Sequence, residues 1–146
     1  AKAAIGKRDM AGAQDLIDQA KAAFKEAKDH GKDGLDKLVT ELEAMLAAEM
    51  GAAEKELAAK KKGEELAAEA KAAIAKRDMS GAQSLIDQAK AAFTEAKDHG
   101  KEGREVTVPE LEKLLAAEQA EIDKELAAKK KGEELAEQAK AAIGKR

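Results

Sequence analysis

Apolar residues in this chain recur at three- and four-residue intervals, separated by Lys, Glu and Gln, which is the spacing of one face of an α-helix. Leu66, Ala70, Ala73 and Ile74 carry such a face through Gly63–Arg77, GEELAAEAKAAIAKR, with a stop near Asp78. A second helix is predicted from about Ser80 to Lys97, its stripe formed by Ala82, Leu85, Ile86, Ala89, Ala92, Phe93 and Ala96. Ser80 offers the hydroxyl of an N-cap. Asp98-His99-Gly100 reads as the stop, with Gly100 able to take the positive φ of a C-terminal cap. Thr107-Val108-Pro109-Glu110 opens a third helix, because Pro is tolerated in a first turn, where its missing N–H would have no partner. Leu111, Leu114, Leu115, Ile122 and Leu126 carry that helix to about Lys131. Leu126 and Leu135 then fall on opposite faces of a continuous helix. Lys129-Lys130-Lys131-Gly132-Glu133-Glu134 places cations before a glycine and anions after it, the charge order of a helix end followed by a helix start. Either the helix breaks at Gly132, and likewise at Gly63, or one long rod switches neighbours there; the charge order favours the break.

The same pattern occurs twice. AKAAIGKRDMAGAQDLIDQAKAAFKEAKDHGK at Ala1–Lys32 returns as AKAAIAKRDMSGAQSLIDQAKAAFTEAKDHGK at Ala70–Lys101, a period of 69 residues, and AKAAIGKR appears again from Ala139. Aligned without gaps, Ala1–Glu69 and Ala70–Gln138 differ at 19 positions, concentrated in Asp33–Glu54 against Glu102–Asp123. The expected architecture is all-α, with two tandem 69-residue helical repeats (1–69 and 70–138) and the start of a third (139–146). Together they would form an elongated helical bundle or α-solenoid. Such a chain reads as a slice of a longer array or as a deliberately built repeat.

Composition sharpens this picture. Of the 146 residues 36 are Ala, and only 28 are Leu, Ile, Val, Met or Phe, so a thick core is excluded and close Ala-mediated helix packing is required. The 27 basic residues nearly cancel the 30 acidic ones, which argues against disorder driven by net charge. No basic block and only two Phe rings are present, so nucleic acid is not an expected partner. The absence of Cys excludes disulfides and thiolate chemistry. No apolar run approaches the ~20 residues of a membrane span and no signal-peptide pattern is visible, so a soluble chain is expected, with its compartment left open. Lys60-Lys61-Lys62 and Lys129-Lys130-Lys131 are each followed by a Glu pair across a Gly, the mark of a solvated charge cluster rather than of a membrane patch.

The stretch Gly63–Ala96 resembles a tetratricopeptide-type helix hairpin. Leu66 and Ala70 match the first helix, Arg77-Asp78-Met79 the turn, and Ala82, Ile86 and Ala89 the second helix; Asp9, Ala13, Ile17 and Ala20 repeat the pattern. The family's usual aromatic positions and closing Pro are missing. The resemblance implies a right-handed solenoid whose concave face binds peptides.

Asp98-His99-Gly100-Lys101-Glu102-Gly103, followed by Val106-Thr107-Val108 and Glu110, resembles an EF-hand calcium loop. The likeness implies oxygen ligands from Asp98, Glu102 and Glu110, with Asp29, Asp33 and Glu41 in the corresponding places of the first copy, and Gly34 and Gly103 at the sharp turn. Calcium is the only cofactor so implied. The third ligand position is Gly31 or Gly100, without a side-chain oxygen, and the distal Glu comes one residue late in both copies. The competing expectation is a helix end and polar connection. His30 and His99 have no neighbouring Cys or second His to complete a metal site or a triad, and are expected as exposed loop residues.

No nucleophile–base–acid set and no Gly-rich phosphate cradle occurs, so no enzyme activity is expected. The function expected from the residues is a structural or scaffold repeat with protein partners or self-association. A calcium-binding module and a peptide-binding solenoid are the alternatives.

Overall fold

Alanine-rich segments with few β-branched residues have little option but to coil, and they do so throughout. The computed structural model describes residues 1–145, and among them the chain is all-α, with no strand. The α-helices are α1 (Lys2–Gly6), α2 (Met10–Glu26), α3 (Thr40–Ala75), α4 (Met79–Glu95) and α5 (Val108–Gly144). Short helical turns link them: Lys28–Gly31 and Gly34–Val39 after α2, Lys97–Gly100 and Gly103–Thr107 after α4. Each pair is a 3₁₀ turn followed by a π turn.

Two compact units are present, Ala1–Leu57 and Ala58 onward. In the first, Ile5, Ala13, Ile17, Val39 and Leu46 form the core, with Met10, Phe24 and Leu42 packed against it. In the second, Ala67, Ala70 and Ile74 from α3 meet Ala82, Ile86, Ala89 and Phe93 from α4, closed by Val108 and Leu111 from α5. Alanines at 0 % exposure alternate with single large side chains, so the helix backbones approach closely and each bulky residue seats over a small one.

The sequence expectations are corrected at three points. The first is the break at the glycines: α3 runs through Gly63 and α5 through Gly132. A lone glycine inside a helix costs about 1 kcal/mol relative to Ala. Breaking the helix would strand backbone groups on both sides, and the preceding Ala59-Lys60-Lys61-Lys62 has no Ser, Thr, Asp or Asn to cap a new start. The second is the cap of α4. Asp78, not Ser80, accepts a hydrogen bond from the Gly81 N–H at 3.0 Å, and Asp9 does the same for Gly12 at 3.0 Å in α2.

The third concerns the C-terminal caps. No glycine has a positive φ among the described residues; Lys28 (φ 53°) and Lys97 (φ 52°) take the left-handed conformation instead. Gly100 is required for close approach, since a Cβ there would lie 1.9 Å from the Phe93 carbonyl oxygen. Arg104 reaches back to this helix end, donating to the carbonyl oxygens of Phe93 (2.5 Å) and Lys97 (2.8 Å), a favourable place for a cation. In the first unit the corresponding residue is Leu35.

Left-handed backbone costs an L-residue roughly 1–2 kcal/mol, an expense glycine avoids at the cost of some extra freedom in the unfolded chain. Lys28→Gly is therefore expected to raise stability by about 0.5–1 kcal/mol, read as a higher urea midpoint at unchanged slope.

Candidate functional site

The most organised polar groups in the molecule are two ion-pair clusters. Arg8 follows α1 with a left-handed backbone (φ 58°), and its guanidinium spreads over two carboxylates of α3. Its Nε meets Glu49 at 2.5 Å, and its two terminal nitrogens grip both oxygens of Glu56. In the second unit Arg77 (φ 60°) follows α3 and binds α5 in the same manner, Nε to Glu118 at 2.6 Å and both terminal nitrogens to Glu125. Lys21–Glu43 (2.5 Å) and Lys90–Glu112 (2.7 Å) are further ties between helices, one in each unit. Such forked contacts fix the angle at which a helix end meets its neighbour.

Electrostatics follow from these partners. Hydrogen bonds to Glu56 and Glu125 hold Arg8 and Arg77 still more firmly protonated than usual, and Glu43 and Glu112 raise Lys21 and Lys90. The hydrogen bond from Arg77 lowers Glu125 below the ordinary carboxylate range. A carboxylate whose folded pKa is depressed contributes stability above its unfolded pKa and loses it as pH falls through the folded value. Glu125→Gln is accordingly expected to be less stable than the parent at neutral pH, with the difference shrinking below about pH 4. Acid unfolding followed by circular dichroism checks this; a difference that stays constant down to low pH contradicts it.

The calcium-ligand positions are distributed differently from a loop. Asp29 and Asp98 lie in the 3₁₀ turns Lys28–Gly31 and Lys97–Gly100. Asp33 (φ −62°, ψ −39°) and Glu102 (φ −61°, ψ −41°) have helical backbone, while Glu41 and Glu110 sit in the first turns of α3 and α5. All six are exposed. The chain here is helical rather than open. The glycines at the expected sharp turn, Gly34 and Gly103, instead lie against the rings of Phe24 and Phe93, where a Cβ would come within 2.4 and 2.3 Å. Among the described residues no three His, Cys, Asp or Glu side chains are grouped so as to hold a metal ion. His30 and His99 are both exposed, in the same 3₁₀ turns.

A shallow groove between α4 and α5 is lined by Met79, Ser80, Gln83, Glu112, Leu115 and Gln119. Its one carboxylate, Glu112, is already paired with Lys90. A second groove, between α3 and α5, is lined by Glu64, Ala67, Lys71, Thr107, Glu110 and Leu114. Among the described residues no helix is long and apolar enough to cross a membrane.

Sequence reasoning missed the arginine clusters, because separations of 41 and 48 residues carry no local signal. The recurring Lys-Arg-Asp before Met10 and Met79, at Lys7–Asp9 and Lys76–Asp78, is the trace they leave. Comparison with protein-family models, curated proteins and solved structures finds no match.

Proposed function

We propose that this chain is a non-catalytic scaffold: a helical repeat whose task is to hold form and present faces for assembly. The observation that carries this reading is the recurrence of the same ties at one offset. Arg8–Glu49–Glu56 and Arg77–Glu118–Glu125 use equivalent atoms, as do the Asp9 and Asp78 caps and the Lys21 and Lys90 bridges. The strongest polar interactions are thus spent on the angles between helices, and their donors and acceptors are committed to one another.

The test is thermal melting by circular dichroism in calcium and in chelator. A scaffold gives superimposable curves. A calcium-dependent rise in melting temperature that is lost in Asp29→Ala and Asp98→Ala would replace this reading with a calcium-responsive module.

A further inference from the structure

One stretch of sequence occurs twice in this chain with opposite surroundings. Ala58–Lys76 and Ala127–Lys145 differ only at Ala68/Glu137, Glu69/Gln138 and Ala75/Gly144. In the first occurrence, within α3, Ala70 is fully buried and Ile74 is 7 % exposed against α4. In the second, within α5, the equivalent Ala139 is exposed and Ile143 is 69 % exposed. The glycines repeat the contrast: a Cβ on Gly63 would lie 2.7 Å from the Phe93 ring, whereas nothing stands within 4 Å of one on Gly132.

The surface that such a helix covers also occurs twice. Met10–Gly34 and Met79–Gly103 differ only at residues 11, 15, 25 and 33 and their counterparts, all of them exposed. Phe93, Ala89 and Ala92 are buried on α4; on α2, Phe24 and Ala20 are half-buried and Ala23 is exposed. At the place that Gly63–Ile74 takes over α4, α2 is met by the short α1, and Ala1–Lys7 is identical, residue for residue, to Ala139–Lys145.

We propose that the open face of α5 docks onto α2 of a second copy of this chain, head to tail, in the manner in which Gly63–Ile74 of α3 covers α4 within one chain. Gly132 takes the place of Gly63 over the Phe24 ring of the second copy. Ala139–Lys145 replaces the second copy's own Ala1–Lys7, and because the two segments are identical that exchange is nearly neutral. The net drive comes from the preceding turns, Ala127–Gln138, which cover Phe24 and the small residues beside it. The contact is heterologous, since each copy offers a donor helix and an acceptor face that are different surfaces. The occupant is a second copy because α5 carries the sequence that fills this kind of site inside the chain.

This inference rests on the scaffold reading but is tested separately from it. Sedimentation equilibrium of the 146-residue chain from micromolar to millimolar concentration is expected to show reversible association. Gly132→Leu places a side chain where the Phe24 ring must lie, and Ala136→Glu puts a charge on the face equivalent to buried Ala67. Both positions are exposed, so neither variant should lose helicity in the dilute protein, and Gly132→Leu, which removes a helix-interior glycine, should melt no lower than the parent, while association weakens by roughly tenfold or more. A parent that stays monomeric at millimolar concentration overturns the docking and leaves the scaffold reading standing. So does association unchanged in both variants, which would place the contact on another face. Loss in both variants at full helicity upholds it.

Discussion

Phe93→Ala is expected to be the most damaging single truncation in the chain, costing about 3–5 kcal/mol, whereas Phe24→Ala costs roughly 1–3 kcal/mol. The two rings are equivalent in sequence and differ in surroundings. Phe93 is 1 % exposed, and the bare backbones of Gly63 and Gly103 both approach its ring closely. Helices that lean on backbone cannot collapse into the space a ring vacates, so the cavity term is added in full to the transfer term. The Phe24 ring meets Gly34 in the same way but is half-buried, and part of its surface already faces water. Urea unfolding of both variants measures the difference. Equal losses would mean that Gly63 and its helix contribute nothing to holding the ring, and the account of the second unit's core would have to be abandoned.

This asymmetry also marks the limit of what the sequence makes legible. All-α class, the stripe of α4 and the start of α5 near Pro109 can be read directly, because period, propensity and a proline in the first turn are local properties. The left-handed cap expected at Gly100 is the kind of feature that a sequence leaves open, and the structure has none there. A glycine in a polar segment signals either a left-handed turn or the need for space, and only the neighbour decides. Here the neighbours are Phe24 and Phe93, so Gly34 and Gly103 are small for the sake of a ring, and Lys28 and Lys97 carry the left-handed backbone. The charge order around Gly63 misleads for a related reason. Lys before and Glu after a glycine suit two helix ends, but they suit a continuous helix as well, where Lys60 and Glu64 stand one turn apart at 3.8 Å. Arg8 and Arg77 lay outside local reasoning altogether, since their partners arrive through folding.

Two glycines of one helix, substituted in the same way, should move stability in opposite directions. Gly51 and Gly63 both lie inside α3, and each leaves the helix about 1 kcal/mol short of what alanine would give. Nothing lies within 4 Å of a Cβ built on Gly51, and the residue at its counterpart in α5 is already Ala120. Gly51→Ala is therefore expected to stabilise by about 1 kcal/mol. At Gly63 the new methyl would stand 2.7 Å from two ring carbons of Phe93. The ring has little room to retreat, because it is 1 % exposed and already lies close against Gly103, whose Cβ position stands 2.3–2.5 Å from Cγ, Cδ1 and Cε1. Overpacking of a closed site costs about 1–3 kcal/mol, which exceeds the propensity gain, so Gly63→Ala is expected to destabilise. Paired urea curves give the sign directly. If both substitutions stabilise, the ring moves freely and Gly63 is not a packing residue. If Gly63→Ala destabilises while the double variant with Phe93→Leu recovers part of the loss, the coupling between helix backbone and ring is established as the element that sets how closely α3 and α4 approach.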